Sequence, residues 1–137
     1  MTRYQAYQGN QVDGAGPLGL VLLTYEALYK SLGKTRMAIL AGDMCAEATQ
    51  TGFAMEALIE LSSSLNMEEG ADIAQSLASL YAYMMNRITE GLCSGSTESI
   101  DEVIRLVQEL REGWMQMSQQ QQKNQQTERP QLRVVAG

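Results

Sequence analysis

Histidine is missing from the 137-residue chain. That absence excludes a phosphorelay bundle, whose chemistry needs a phosphorylatable imidazole. It excludes the carboxylate-bridged metal bundles that take Glu-x-x-His pairs from their helices, and His-dependent hydrolase triads. Proline occurs only at positions 17 and 130, so nothing between them blocks a helix. The two cysteines, Cys45 and Cys93, lack zinc-site spacing. They read as small hydrophobes in a reducing compartment, without a disulfide. No apolar run approaches the roughly 18 residues of a membrane span, and Met1-Thr2-Arg3-Tyr4-Gln5 has no apolar secretory centre. Gly14-Ala15-Gly16 lacks the strand and later glycine of a phosphate loop. Glu68, Glu69 and Asp72 cluster, but negative charge is favoured at a helix N-terminus. The expectation is a chain with no catalytic residues, cofactor or metal: not an enzyme.

What remains is 45 % apolar, rich in Ala, Leu, Met, Glu and Gln and poor in aromatics. One helical core fits that balance and length. The net charge is −6. From Ser118 onward Lys123, Arg129 and Arg133 face only Glu128, a local +2, so the preceding body carries −8. A body this acidic repels phosphate backbones and anionic bilayers. Nucleic acid and membrane insertion are therefore set aside, and a cytoplasmic location is expected.

Apolar periodicity predicts four helices. The first runs from about Pro17 to Ala41 on Leu18, Val21, Leu22, Tyr25, Leu28, Tyr29, Leu32, Ile39 and Leu40. Gly42 stops it and Asp43 caps the next. The second spans about Met44 to Leu65, with Cys45, Ala48, Met55, Leu58, Ile59 and Leu65 on one side. Asn66 with Glu69 reads as a capping-box variant. The third helix follows to about Leu92 on Ile73, Leu77, Leu80, Tyr81, Met84 and Ile88. Gly95 and Ser96 separate it from the fourth, about Thr97 to Met117, on Ile100, Val103, Val107, Leu110, Trp114 and Met117. Short connections make this an all-α antiparallel four-helix bundle with an N-terminal arm or short extra helix. The expected division is a flexible arm over 1–16, a bundle over 17–118, and a glutamine-rich tail over 119–137. That tail lacks periodicity and is expected to be disordered or a frayed helix.

Some apolar residues exceed what a core stripe requires. With Tyr25 as zero and the stripe within roughly 60° either side, Leu20, Leu23 and Ala27 fall near the opposite pole. On the third helix Ala74, Ala78, Ala82 and Met85 widen the apolar arc around Tyr81 to roughly 200°, and Tyr83 lies outside it. The arm adds Tyr4, Tyr7 and Val12. Either these residues pack against the arm or a fifth short helix, or they form a groove for a partner's amphipathic helix with the arm as its lid. Tyr7, Val12, Leu20, Leu23, Ala27, Ala74, Ala78, Tyr81, Tyr83 and Met85 are the partner-binding candidates.

Several segments resemble the FliS family of flagellar secretion chaperones. These are Tyr7-Gln8-Gly9-Asn10-Gln11-Val12, the leucine-rich stretch from Pro17 to Leu28, Ile39-Leu40-Ala41-Gly42-Asp43, Ser64 to Gly70, and Leu77-Ala78-Ser79-Leu80-Tyr81-Ala82-Tyr83-Met84. Leu110-Arg111-Glu112-Gly113-Trp114 closes the series. The resemblance implies a chaperone that binds the disordered C-terminal segment of flagellin, prevents premature polymerisation and presents the cargo to the flagellar export gate. Thr24, where the family usually has an apolar residue, and the glutamine-rich extension depart from the pattern. Two other readings stay open: a self-associating structural bundle, and an adaptor chaperone for another secreted protein. The chain itself is expected to be a monomer or weak homodimer.

Overall fold

The computed structural model describes residues 16–68 and 70–136. They form four helices: α1 (Gly16–Ala41), α2 (Met44–Ser63), α3 (Ala71–Ser94) and α4 (Glu98–Ala136). No strand occurs among the described residues, and none of these helices is long and apolar enough to cross a membrane. The all-α bundle expected from periodicity is what forms.

Connections of two, seven and three residues turn the chain back on itself at each step. The α1–α2 turn is closed by Gly42 at φ +69°, a left-handed conformation that a side chain disfavours. Its N–H reaches Ile39 O and that of Asp43 reaches Ala38 O, satisfying the last carbonyls of α1. Asp43 Oδ1 then accepts from Ala46 N–H at 3.1 Å, capping α2. Gly95, also at φ +69°, ends α3.

The start of α3 differs from expectation. It begins at Ala71 after Gly70, which makes no side-chain cap bond. Asn66 Oδ1 instead accepts from Glu68 N–H at 3.2 Å. An Asn that bonds its own backbone two residues on makes a local turn instead of a helix cap. The outcome is a seven-residue connection between α2 and α3.

Cross-helix pairs fix the packing order. Arg36 with Asp101, Tyr29 with Gln108, and Tyr25 with Trp114 run in opposite senses along α1 and α4. α1 packs on both α2 and α4, α4 also on α3, and among these packed neighbours the α2–α3 pair is the lightest. Tyr25, Leu28, Leu32, Leu58, Tyr81, Met84, Ile88, Ile100, Val103 and Val107 are all fully buried or within 1 % of it.

One helix buries a different face from the one read in the sequence, and α1 buries a wider one. On α2 the buried residues are Thr51, Ala54, Ala57, Leu58 and Leu61, while Cys45 and Ala48 are exposed and Ile59 is 55 % exposed. Small residues let α2 lie close to its neighbours, and this rotates its inner face by roughly 100°. On α1, Thr24, Ser31 and Thr35 are buried and Leu40 is not. Thr24 and Thr35 each donate a hydroxyl to the carbonyl four residues earlier, at 2.9 Å, so these polar atoms enter the core already bonded. α4 continues through the glutamine-rich tract to Ala136, well past Met117.

Candidate functional site: an apolar groove at the open end of the bundle

The long α2–α3 connection and the light packing between those helices leave the bundle open at one end. A groove of about 360 Å³ lies there. α1 contributes Val21, the end of α2 Leu61, the connection Leu65, α3 Ile73 and Leu77, and the floor is Tyr81 with Trp114. Ile73 is 70 % exposed and Met67, on the connection beside it, 48 %. With the half-buried wall residues these two side chains leave apolar surface open to solvent at this end of the bundle.

The floor is polar beneath its apolar walls. The Tyr25 and Tyr81 hydroxyls hydrogen-bond to each other, and the Tyr25 ring stands 6.5 Å from those of both Tyr81 and Trp114. Burial pushes both phenols above their ordinary value; bonds with Tyr81 and Trp114 oppose this at Tyr25, whereas the bond with Tyr25 adds to it at Tyr81. Both tyrosines stay un-ionised at neutral pH. The two phenols and the indole carry three donor hydrogens for two phenolic oxygens.

Elsewhere α3 and α4 are joined through Glu102. Its Oε1 accepts from the Tyr83 hydroxyl and from Arg87 Nε, each at 2.7 Å, and Arg87 also bonds Glu90. The Tyr83 and Arg87 bonds hold the Glu102 carboxyl below the usual carboxylate range. The hydrogen bond to Glu102 in turn raises the Tyr83 phenol. α4 comes close to α3 at Gly91, where a Cβ would sit 2.6 Å from Ser99 Oγ. Among the described residues no three His, Cys, Asp or Glu side chains gather as a metal site would need.

The sequence candidates separate on this framework. Ala74 and Tyr81 line the groove but are only 4 % and 1 % exposed. Ala27 is buried at 8 %, and Leu20, Leu23, Ala78 and Met85 are half-buried. Tyr83 is 44 % exposed but engaged with Glu102. Tyr7 and Val12 lie outside the described residues. Ala27 is covered because the buried arc of α1 runs to roughly 160° on the side of Thr24, Ser31 and Thr35, so the supposed back of the helix is partly inner face. The groove's own walls, Val21, Leu65, Ile73, Leu77 and Trp114, read as core in the sequence. The missed signal is the Asn66–Gly70 turn chemistry, which strips Ile73 of a neighbour.

An all-α bundle with an open apolar slot is the class of protein these features define. The family model described as "Flagellar protein FliS" matches residues 1–121. The chain is 30 % identical over 117 residues to the flagellar secretion chaperone FliS of Vibrio cholerae, covering 82 % of this chain and 86 % of that one. It is 31 % identical over 104 residues to FliSB of Pseudomonas aeruginosa (76 % and 82 % covered). To FliS of Bacillus subtilis it is 29 % identical over 121 residues (88 % and 90 %). The chain belongs to the FliS family of flagellar secretion chaperones.

Proposed function

We propose that this protein is a cytoplasmic, non-catalytic export chaperone. It holds the C-terminal segment of flagellin as a helix in the groove between Val21, Leu65, Ile73 and Leu77. The observation that carries the reading is that groove, with Ile73 70 % exposed at its mouth on a chain whose family is flagellar and secretory. An amphipathic helix laid into an apolar channel is a recurrent recognition mode.

The mechanism is coupled folding and binding. A disordered segment gains helix as its apolar face is covered, and ordering it costs about 2–5 kcal/mol of the gross interaction. That cost moderates affinity, so the cargo can be surrendered at the flagellar export gate without a chemical step. Apolar side chains held in the groove are withheld from flagellin subunit packing, which prevents premature polymerisation.

Calorimetric titration with a synthetic flagellin C-terminal peptide tests this, followed in parallel through the fluorescence of Trp114, the chain's single tryptophan. Saturable binding with a gain in helical circular dichroism is expected. Equal capture of full-length flagellin and flagellin lacking its C-terminus would place the recognised segment elsewhere.

A further inference from the structure

We propose that the outward face of α2 is a second docking surface, fitted to a basic amphipathic helix of a protein other than the cargo. It lies apart from the apolar groove and goes beyond the reading given to that groove.

α2 turns Thr51, Ala54, Ala57, Leu58 and Leu61 inward. On its other side Cys45, Ala48, Gly52 and Ile59 are exposed, Ile59 by 55 %. Their spacing puts all four within roughly 60° of arc, in a stripe roughly 21 Å long. Half-buried Met55 adjoins the stripe at the border with the core, and no charged side chain falls within the arc. A surface helix needs one apolar face and one polar face. α2 has two apolar faces, and the described bundle covers one of them. A Cβ at Gly52 would meet nothing within 4 Å, so the middle of the stripe is a shelf without side chains. A neighbouring helix can lie close there and set large side chains over Ala48 and Gly52.

Charge selects the partner. From Asp43 to Ser94 eight carboxylates face the single cation Arg87, a net −7 in a chain of −6. Arg87 is engaged with Glu90 and with Glu102 on α4. α2 itself carries Glu47, Glu56 and Glu60 and no cation. Glu56 and Glu60 border the stripe, roughly 20° and 60° beyond Cys45. A second copy of the chain is disfavoured, because it would set one acidic half against another. Nucleic acid and anionic bilayers are repelled by the same charge. What is complementary is a helix with large apolar side chains at three- and four-residue steps and Lys or Arg along one flank. Such a helix can bind while the groove end holds cargo, so the loaded chaperone can be engaged by a second protein.

Fluorescence anisotropy with the full chain is the test, using two labelled synthetic helices of about 18 residues. One carries leucines at three- and four-residue steps flanked by lysines; the other has every lysine replaced by glutamate. Wild type is expected to bind the lysine helix and not the glutamate helix, with affinity falling about tenfold between roughly 20 and 300 mM salt. Gly52→Lys and Ile59→Lys each set a cation on the stripe and are expected to weaken binding about tenfold. Helical circular dichroism should not change, because both positions are exposed. Gln116→Lys adds the same charge at an exposed position on α4 and is expected to leave binding as in wild type. Equal binding of the two helices, or a loss that is the same for all three lysine variants, overturns the proposal. The titration is then repeated with the flagellin C-terminal peptide at saturation. Undiminished binding of the lysine helix is expected, and its displacement would make the α2 face part of the cargo site and overturn a separate surface. If no form binds the flagellin peptide while the lysine helix responds as expected, the cargo reading fails and the α2 surface stands.

Discussion

At the scale of single residues, two hydroxyl-centred arrangements govern behaviour in opposite places. In the core, Tyr25 and Tyr81 hold one another by a buried bond. Replacing Tyr81 with Phe removes one partner and leaves a desolvated hydroxyl on Tyr25, so a loss of about 1–3 kcal/mol is expected in urea denaturation. Both phenols are raised by burial. The unfolded chain ionises first, near pH 10, so their contribution is complete below that pH and declines as pH rises through it. At the surface, Glu102 has the reverse sign. Its folded carboxyl is held low by Tyr83 and Arg87, so its contribution is present above the unfolded value of about 4.3 and fades as pH falls through the folded value. Glu102→Gln is therefore expected to flatten the decline of melting temperature with acidification below that point. An identical acid limb in wild type and variant would show that Glu102 adds nothing through its charge.

Among helices, glycines at interior positions do different work. Gly52 has open space where a Cβ would go, and so does Gly33. Gly52→Ala is expected to stabilise by about 0.4–1 kcal/mol, because alanine costs less backbone entropy in a helix. At Gly91 the same change drives a methyl into Ser99 and Ile100, and overpacking of about 1–3 kcal/mol outweighs the propensity gain. Melting temperatures moving in opposite directions for these two alanines would confirm the contrast; a stabilised Gly91→Ala would mean α3 and α4 can separate freely there. Intrinsic helix propensity alone marks Gly52 as a weak point. It could not have found the contact at Gly91, whose neighbours lie on another helix.

For the whole molecule, an apolar residue's role depends on its height along the bundle. Leu58 and Ile73 both read as core by spacing, yet Leu58 is sealed and Ile73 lies 70 % open. Leu58→Ala is expected to cost about 2–5 kcal/mol. Ile73→Asp is expected to leave the unfolding midpoint within about 0.5 kcal/mol of wild type while abolishing cargo-peptide binding. Cargo binding retained by a folded Ile73→Asp protein would shift the binding surface away from the groove. The bundle is held by mutual burial, whereas the described glutamine-rich residues beyond Ser118 meet solvent.

Four helices, their glycine stops at Gly42 and Gly95, and the absence of histidine chemistry were legible from the chain alone, because helical period, left-handed φ and imidazole chemistry are local properties. The family resemblance was legible for the same reason, as order and spacing of short segments. Which face α2 turned inward, and how far round α1 is buried, were not. Thr51, Ala54 and Ala57 gained the α2 interior over Ile59 because close packing favours small residues, and that preference exists only once a neighbouring helix is present. The groove likewise arises from a turn that Asn66 closes on itself and from a light α2–α3 contact. No single segment encodes an opening between two others.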